Sequence, residues 1–466
     1  MGRIPLNPCD YFFFGQHQLL TRTSEEGNIA FMLLDVDGHI EPDVVRDALA
    51  RTIARHPATM GQLRISFPRG RPYWKVPRQT ESAGRVAAAQ AYQYHDLRDA
   101  PDWEVRIARL HPSGQASPWN HRVGPQIRFE HYALPDSRTR IIFRWPHFMM
   151  DADGAQRFLS ELDRYAQEES ASGSRPPFET PASLSNEHCP VDVLRNFSFW
   201  RRVGLAQRGY AFHQSHEGLT IRPLAQPHAQ PCARHEVVHR HWSSEQTARL
   251  QETAKKSTPF GPALYARHVA ACVLRSLDVM YRENGVETEA YLITMPMRVG
   301  ISQHDANLLD KRPVPGNYLV TPILHGLRSQ IDDPPALANH LLQQFQDFLS
   351  RQMDMSQWAL MWAASFIHKW SYSMIFKLPL SIAAFSSGYS YYGEIAQPIR
   401  SLCGRRVLNL WGGGPTPTPP GLNPVFSKFE DRLNLCLTYD TQVISDEMAR
   451  RFVELIETQM FGGSAS

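Results

Sequence analysis

Between Gln126 and Ala166 the hydrophobic period changes from two to about 3.6 residues, and that change restricts the chain to folds in which helices pack on a sheet. Gln126 to Tyr132 and Thr139 to Trp145 are β-like runs, and Pro135-Asp136 between them has the turn chemistry of an antiparallel pair. Directly afterwards Ala155, Phe158, Leu159, Leu162 and Ala166 share one face of a helix whose opposite face carries Arg157, Glu161 and Arg164. Upstream, Val45, Leu49, Thr52, Ile53 and His56 recur at helical spacing from Glu41 to His56, and Pro57 ends that helix.

The second half repeats the mixture. Ser243-Ser244-Glu245-Gln246 has a capping-box pattern, and a further helix begins near Pro262 with Tyr265, Val269, Cys272 and Val273 as its buried face. Leu433, Leu435, Leu437 and Tyr439 alternate in a strand, after which Ser445 caps a helix faced by Met448, Phe452, Leu455 and Ile456. Strands and helices in both halves predict an α/β or α+β sandwich. A chain of 466 residues exceeds the size at which one core stops growing, about 250–300 residues, so two domains are expected. Their limits are read as 1–175 and 191–466, with 176–190 as a linker entered through Ser170-Ala171-Ser172-Gly173-Ser174-Arg175-Pro176-Pro177, a composition that resists packing.

Lys and Arg total 49 against 46 Asp and Glu without segregating into a basic half or tail, which excludes a nucleic-acid footprint. The six cysteines, Cys9, Cys189, Cys232, Cys272, Cys403 and Cys436, form no CxxC pair and read as reduced thiols of a cytoplasmic protein. The first ten residues contain no apolar run of the kind a secretory signal needs. The stretch from Met355 to Tyr392 is the most apolar, but Lys369, Lys377 and Pro379 interrupt it. It reads as a pair of buried helices, with a greasy substrate channel or a peripheral membrane contact as the functional alternatives.

HExxH, GxSxG, Walker and GxGxxG signatures are missing. Gly412-Gly413-Gly414 is followed by Pro and Thr, which predicts a mobile loop running to Gly421. His235, His239 and His241 share one face of a strand, yet their spacing matches no zinc template, so no metal is assigned. What remains is His147 with Asp151 four residues on, at the end of the apolar strand. A neutral imidazole there can take the proton of an alcohol or amine as that group attacks a thioester carbonyl, without an acyl-enzyme. The same pair in a chain rich in His and Asp is also compatible with a structural histidine.

Pro146-His147-Phe148-Met149-Met150-Asp151-Ala152 resembles the HHxxxDG motif of the chloramphenicol-acetyltransferase-like superfamily, which includes nonribosomal peptide condensation domains, wax-ester synthases and BAHD acyltransferases. Pro5-Leu6-Asn7-Pro8-Cys9-Asp10 and the helix ending Arg55-His56-Pro57 are similar to further family segments. The resemblance implies two domains in a V-shaped arrangement with the site in a tunnel between them. It makes His147 the catalytic base and Asp151 a structural acid, paired with Arg298 of Met295-Pro296-Met297-Arg298. It also places Gly316, Asn317, Ser390 and Tyr391 near the channel. Pro146 and Ala152 depart from the motif, and Asp153-Gly154 offers the same residue pair in a register shifted by two.

The activity implied is acyl transfer from a thioester on coenzyme A or on a carrier-protein phosphopantetheine, with no permanently bound cofactor. The acceptor would be a small or lipid-like alcohol or amine, and the chain a monomer. A condensation enzyme joining carrier-bound substrates is one alternative. A catalytically silent member that binds an acyl or peptidyl carrier protein is the other.

Overall fold

The computed structural model describes residues 2–21, 27–68, 70–77, 81–110, 119–172, 189–214, 224, 235–257, 263–303, 316–368, 385–394, 399–418 and 420–462. The first half runs β1 (Gly2–Pro5), α1 (Pro8–Leu20), β2 (Ile29–Asp37), α2 (Pro42–Arg55), β3 (Gln62–Ile65), β4 (Pro72–Val76), α3 (Glu81–Ala91), β5 (Tyr92–Asp96), α4 (Trp103–Leu110), β6 (Arg128–Leu134), β7 (Arg138–Pro146) and α5 (Ala152–Ser172). Next come α6 (Phe199–Gln214), β8 (His235–Trp242), α7 (Ser244–Ser257), α8 (Ala263–Glu283), β9 (Ala290–Thr294), β10 (Met297–Arg298), β11 (Leu319–Val320) and β12 (Ile323–Leu327). The chain closes with α9 (Pro334–Ser350), α10 (Met353–Ala364), β13 (Ser390–Glu394), β14 (Ser401–Leu402), β15 (Arg405–Gly413), β16 (Leu422–Phe429), β17 (Arg432–Asp440) and α11 (Asp446–Phe461).

Two sheets dominate. The larger has the order β14-β15-β2-β7-β6-β5, and the smaller β13-β16-β17-β8. Alternation along β2 and β7 divides their side chains between two environments. Met32, Leu34, Ile141, Phe143 and Trp145 face Leu49, Ile53, Phe158 and Leu162 of α2 and α5. Phe31, Leu33 and Ile142, on the other face, meet Val425 and Cys436 of the smaller sheet. That sheet turns Phe426, Leu433, Leu435 and Leu437 toward α8 and α11, where Val269, Val273, Phe452 and Ile456 complete a second core. The layers are thus helix, sheet, sheet, helix, and the α/β sandwich expected from the periodicities is what forms.

The helix at 42–55, the antiparallel β6–β7 pair, the Ser243–Gln246 capping box and the Ser445 cap lie where the sequence places them. Asp136 and Ser137 both adopt positive φ, 59° and 55°, which closes the β6–β7 turn. Helix α5 runs to Ser172, inside the 1–175 limit, and most of the 176–190 segment lies outside the described residues. One expectation needs correction. Gly412 and Gly413 form no loop but end β15 opposite Met32 and Phe31 of β2. A Cβ on Gly412 would sit 2.5 Å from the Phe31 carbonyl oxygen, so the close approach of the strands there requires glycine. Strands 401–402 and 405–413 therefore join the sheet otherwise built by the first half of the chain.

Of the apolar 355–392 stretch, α10 is a helix whose first half is buried, residues 369–384 lie outside the described residues, and Tyr391-Tyr392 form a strand rather than a second helix. No helix among the described residues is long and apolar enough to cross a membrane. Helix α10 packs against α6 so closely that a Cβ on Gly209 would lie 2.6 Å from the Ser356 carbonyl oxygen. Gly209→Val is expected to cost about 1–3 kcal/mol, read as a lower urea midpoint at unchanged slope.

Candidate active site

β7, held between β2 and β6, delivers His147 to the end of the larger sheet. The turn after it is fixed from within. The His147 amide donates to the Asn28 carbonyl at 2.9 Å, Met149 N–H to the Pro146 carbonyl at 2.8 Å, and Trp145 Nε1 to the Met150 carbonyl at 2.8 Å. Phe148, Met149 and Met150 are buried in the first core, with Phe148 stacked on Trp74 at 5.7 Å. The three apolar residues between His and Asp thus anchor the loop.

Asp151 is the N-cap of α5. Its Oδ1 accepts the Gly154 amide at 2.8 Å and its Oδ2 the Tyr318 amide at 3.0 Å, while its own N–H reaches the Gly316 carbonyl at 3.4 Å. Ala152 is simply the first helical residue and does not adopt positive φ, so the missing glycine leaves no strain. Asp153 sits on the helix surface beside Arg157, at 3.5 Å, which removes the shifted register. Arg298 lies on β10 opposite Leu319, next in sequence to the Tyr318 that Asp151 holds.

A second carboxylate grips the same segment. Asp10 Oδ1 accepts both the amide of Asn317, at 2.9 Å, and its side-chain Nδ2, at 2.8 Å. Asp10 and Asn7 form a reciprocal capping box at the start of α1, and Asn7 Nδ2 donates to the Asn317 carbonyl at 2.8 Å. Asn317 Nδ2 also donates to the His147 carbonyl at 2.7 Å. Residues 316–318, from the second half of the sequence, are therefore tied to α1, to α5 and to the His147 loop at once. Burial pushes the Asp10 carboxyl up to about 8, although the Asn317 and Asn7 donors oppose the rise.

The His147 ring stacks on Phe13 of α1, with centroids 4.1 Å apart and planes inclined by 27°. The residue is half-buried. Its Nδ1 is sealed, with no hydrogen-bond partner in another residue. Burial pushes the imidazole pKa below its ordinary 6.5, against the opposing effects of its own backbone carbonyl, the Asp151 charge and Asn317. The imidazole is therefore neutral at physiological pH.

Beside this loop a cavity opens between the two sheets, lined by Ile29, Phe31 and Arg144 on one side and His235, Val237 and Thr438 on the other. Ile29, one of its lining residues, pairs with Pro146, the residue before His147. Arg144 within it faces Glu130 at 3.4 Å, and Tyr132 donates its hydroxyl to that carboxylate at 2.8 Å.

No family model matches the sequence, and no curated protein matches it. Solved structures do. The first condensation domain of the calcium-dependent antibiotic synthetase, bound to a substrate analogue, superposes with TM-score 0.72 at 16% identity, over 100% of this chain and 99% of that one. The chain has the two-lobed condensation-domain fold. Trichothecene 15-O-acetyltransferase from Fusarium sporotrichioides matches with TM-score 0.72 at 10% identity, over 98% and 95% of the two chains. The starter condensation domain of rhizomide synthetase in complex with C8-CoA matches with TM-score 0.65 at 15% identity, over 100% and 96%. The expected chloramphenicol-acetyltransferase-like fold is thereby established.

Within this condensation-domain fold the structure joins His147, Asp151, Gly316 and Asn317 into one constellation and sets Arg298 on the adjoining strand pair. Ser390 and Tyr391 lie on β13, paired with Val425 and Phe426. Tyr391 turns toward the second core, 5.7 Å from the Tyr265 ring. Tyr392 packs instead against the inter-sheet cluster, where burial, together with the Cys436 and Asp151 charges, raises its phenol well above the ordinary range. Sequence reading overlooked Tyr392, although strand alternation sends residues 391 and 392 to opposite faces. It overlooked Asp10 and Asn7 as well, whose Asn-x-x-Asp capping pattern was the available signal.

Proposed function

We propose that this chain transfers an acyl group from a thioester donor to an alcohol or amine. The observation that carries the reading is a half-buried imidazole, its pKa held below the ordinary value by burial and its Nδ1 sealed, on a loop locked by backbone hydrogen bonds close to an inter-sheet cavity. Nε2 of His147 would take the proton of the acceptor as its oxygen or nitrogen bonds to the thioester carbonyl carbon. The tetrahedral intermediate then expels the thiolate, which recovers the proton from the imidazolium, so no acyl-enzyme forms. Asp151 holds the loop, with Arg298 as its proposed counter-charge, and Gly316 and Asn317 brace it. Cleft walls that orient both substrates would contribute more than the base, since alignment is worth about 7–11 kcal/mol.

A hydrophobic alcohol is the preferred acceptor, because Ile29 and Phe31 line the cavity and Phe13 stacks on the imidazole. Coenzyme A and a carrier phosphopantetheine present the same thioester, and the C8-CoA bound by the rhizomide starter domain favours acyl-CoA as the first donor to test. Mass spectrometry of incubations with acyl-CoA and, separately, an acylated carrier protein decides between them. Product from the carrier alone would make the chain a condensation enzyme. No product from either donor across a panel of alcohols and amines would leave a silent carrier-binding protein.

The acid limb of kcat/KM should have its midpoint below pH 6.5 and the rate should be flat above it, because burial depresses the His147 pKa and the base is active when unprotonated. A limb centred above 6.5 would remove His147 as the titrating group.

A further inference from the structure

α6 carries Phe199, Trp200 and Tyr210 with 60%, 78% and 51% of their surface exposed, and Phe366 beyond the end of α10 is 60% exposed. Isolated exposed aromatics are ordinary, but Phe199, Trp200 and Phe366 belong to a contiguous group, and Tyr210 stands further along α6. Phe199 lies 5.4 Å from Trp200 and 6.2 Å from Trp362, and Trp362 lies 5.1 Å from Phe366.

The same helix contains Arg201, Arg202 and Arg208 and no acidic residue, in a chain whose 49 basic and 46 acidic residues nearly balance. Arg201 and Arg208, seven residues apart, form one exposed stripe beside the aromatic one. Arg202 packs over the Trp362 ring at 5.6 Å and pairs with Asp192 at 3.0 Å, and Arg71 lies over Phe366 at 4.3 Å. An aromatic surface edged by guanidinium groups is complementary to one kind of partner. Trp and Tyr settle at headgroup depth in a bilayer, and each basic side chain beside them gains from anionic phosphate.

We propose that the face formed by α6 and the end of α10 docks on an anionic lipid bilayer. The patch connects to the site through packed helices. α6 rests on α10 at Gly209 and Ser356, and the Tyr11 hydroxyl of α1 donates to the Ile367 carbonyl, next to Phe366, at 2.8 Å. Two residues along α1 is Phe13, on which His147 stacks. A bilayer at this face would bring a water-insoluble acceptor to the outer end of the helices that flank the base. That consequence rests on the acyltransferase reading, whereas the docking itself does not.

The test is co-sedimentation of the full chain with vesicles of phosphatidylcholine alone and of phosphatidylcholine mixed with phosphatidylserine. The wild type should pellet with the anionic vesicles and far less with the neutral ones, and added salt should release it. Arg201→Glu with Arg208→Glu, and separately Trp200→Ser with Tyr210→Ser, should each lower the partition coefficient at least about tenfold, with unchanged circular dichroism. Equal binding to both vesicles, no binding to either, variants that bind like the wild type, or a patch consumed in a Trp200-dependent dimer would each overturn the proposal. Turnover of acyl-CoA with water-soluble acceptors, assayed without vesicles, should be unaffected by the double variants. Absence of that turnover in the wild type would count against the acyltransferase reading and leave the vesicle result standing.

Discussion

His147→Ala should lower kcat by about 10²–10⁴-fold, the range of a positioned general base, with KM for the acyl donor little changed. The structural side effects are small because the loop does not depend on the imidazole. The His147 amide and carbonyl, which bond to Asn28 and Asn317, survive the substitution, and Asp151 keeps its hold on α5 and Tyr318. The ring itself contributes its stacking on Phe13. His147→Gln, which retains most of the volume against Phe13 but cannot accept and return a proton, should show the same loss of rate. Steady-state kinetics with a thiol-release assay measures it, and a variant retaining wild-type kcat would end the general-base assignment.

Asn317→Asp should cost about 3–5 kcal/mol and abolish turnover, the penalty for breaking a buried polar network rather than removing a surface contact. Nδ2 of Asn317 feeds two acceptors, Asp10 Oδ1 and the His147 carbonyl. A carboxylate in its place would aim oxygen at both acceptors and set a charge in a buried site next to the Asp10 and Asp151 carboxyl groups. Asn317→Ala, which removes the Nδ2 donor without adding charge and leaves Asp10 Oδ1 its bond to the backbone amide, should fall between it and the wild type, at about 1–3 kcal/mol in all. Urea unfolding followed by tryptophan fluorescence gives both values. Equal stability of Asn317→Asp and wild type would show that the strap at 316–318 does not hold the loop.

The two predictions separate chemistry from support, and the reason is visible in the topology. The proposed base comes from one segment, at the end of β7, but its carbonyl is held by a residue 170 positions later in the chain. Asp151 likewise caps its own helix with one oxygen and clamps the distant Tyr318 amide with the other. Substitutions at 10, 151 and 317 should therefore be coupled, and a double-mutant cycle between Asp10 and Asn317 should show strong non-additivity.

Local chemistry made much of this legible. Period-two runs gave β6, β7 and β17, period-3.6 runs gave α2, α5 and α11, and Ser243 and Ser445 marked helix starts, because each signal is carried by residues within a turn or two of one another. The junction of β7, His147 and α5 could be read the same way, whereas the anchoring of Phe148, Met149 and Met150 in the core became visible only in the fold. Gly412 and Gly413 were misread as loop because their local composition hides the strand. Only the approach of β2, with Phe31 against them, explains why side chains are excluded there.

By itself, then, the amino-acid order determined the elements, their buried faces and the one strand-to-helix turn able to present a base. Tertiary structure alone decided which distant groups meet that turn: Asp10, Asn7 and Asn317 around the loop, Phe13 under the ring, and a strand from residues 405–413 in the sheet of the first half. The physical reason is range. Backbone periodicity and capping act over a few residues, whereas burial of carboxylates becomes favourable only when amides hundreds of positions away are folded against them.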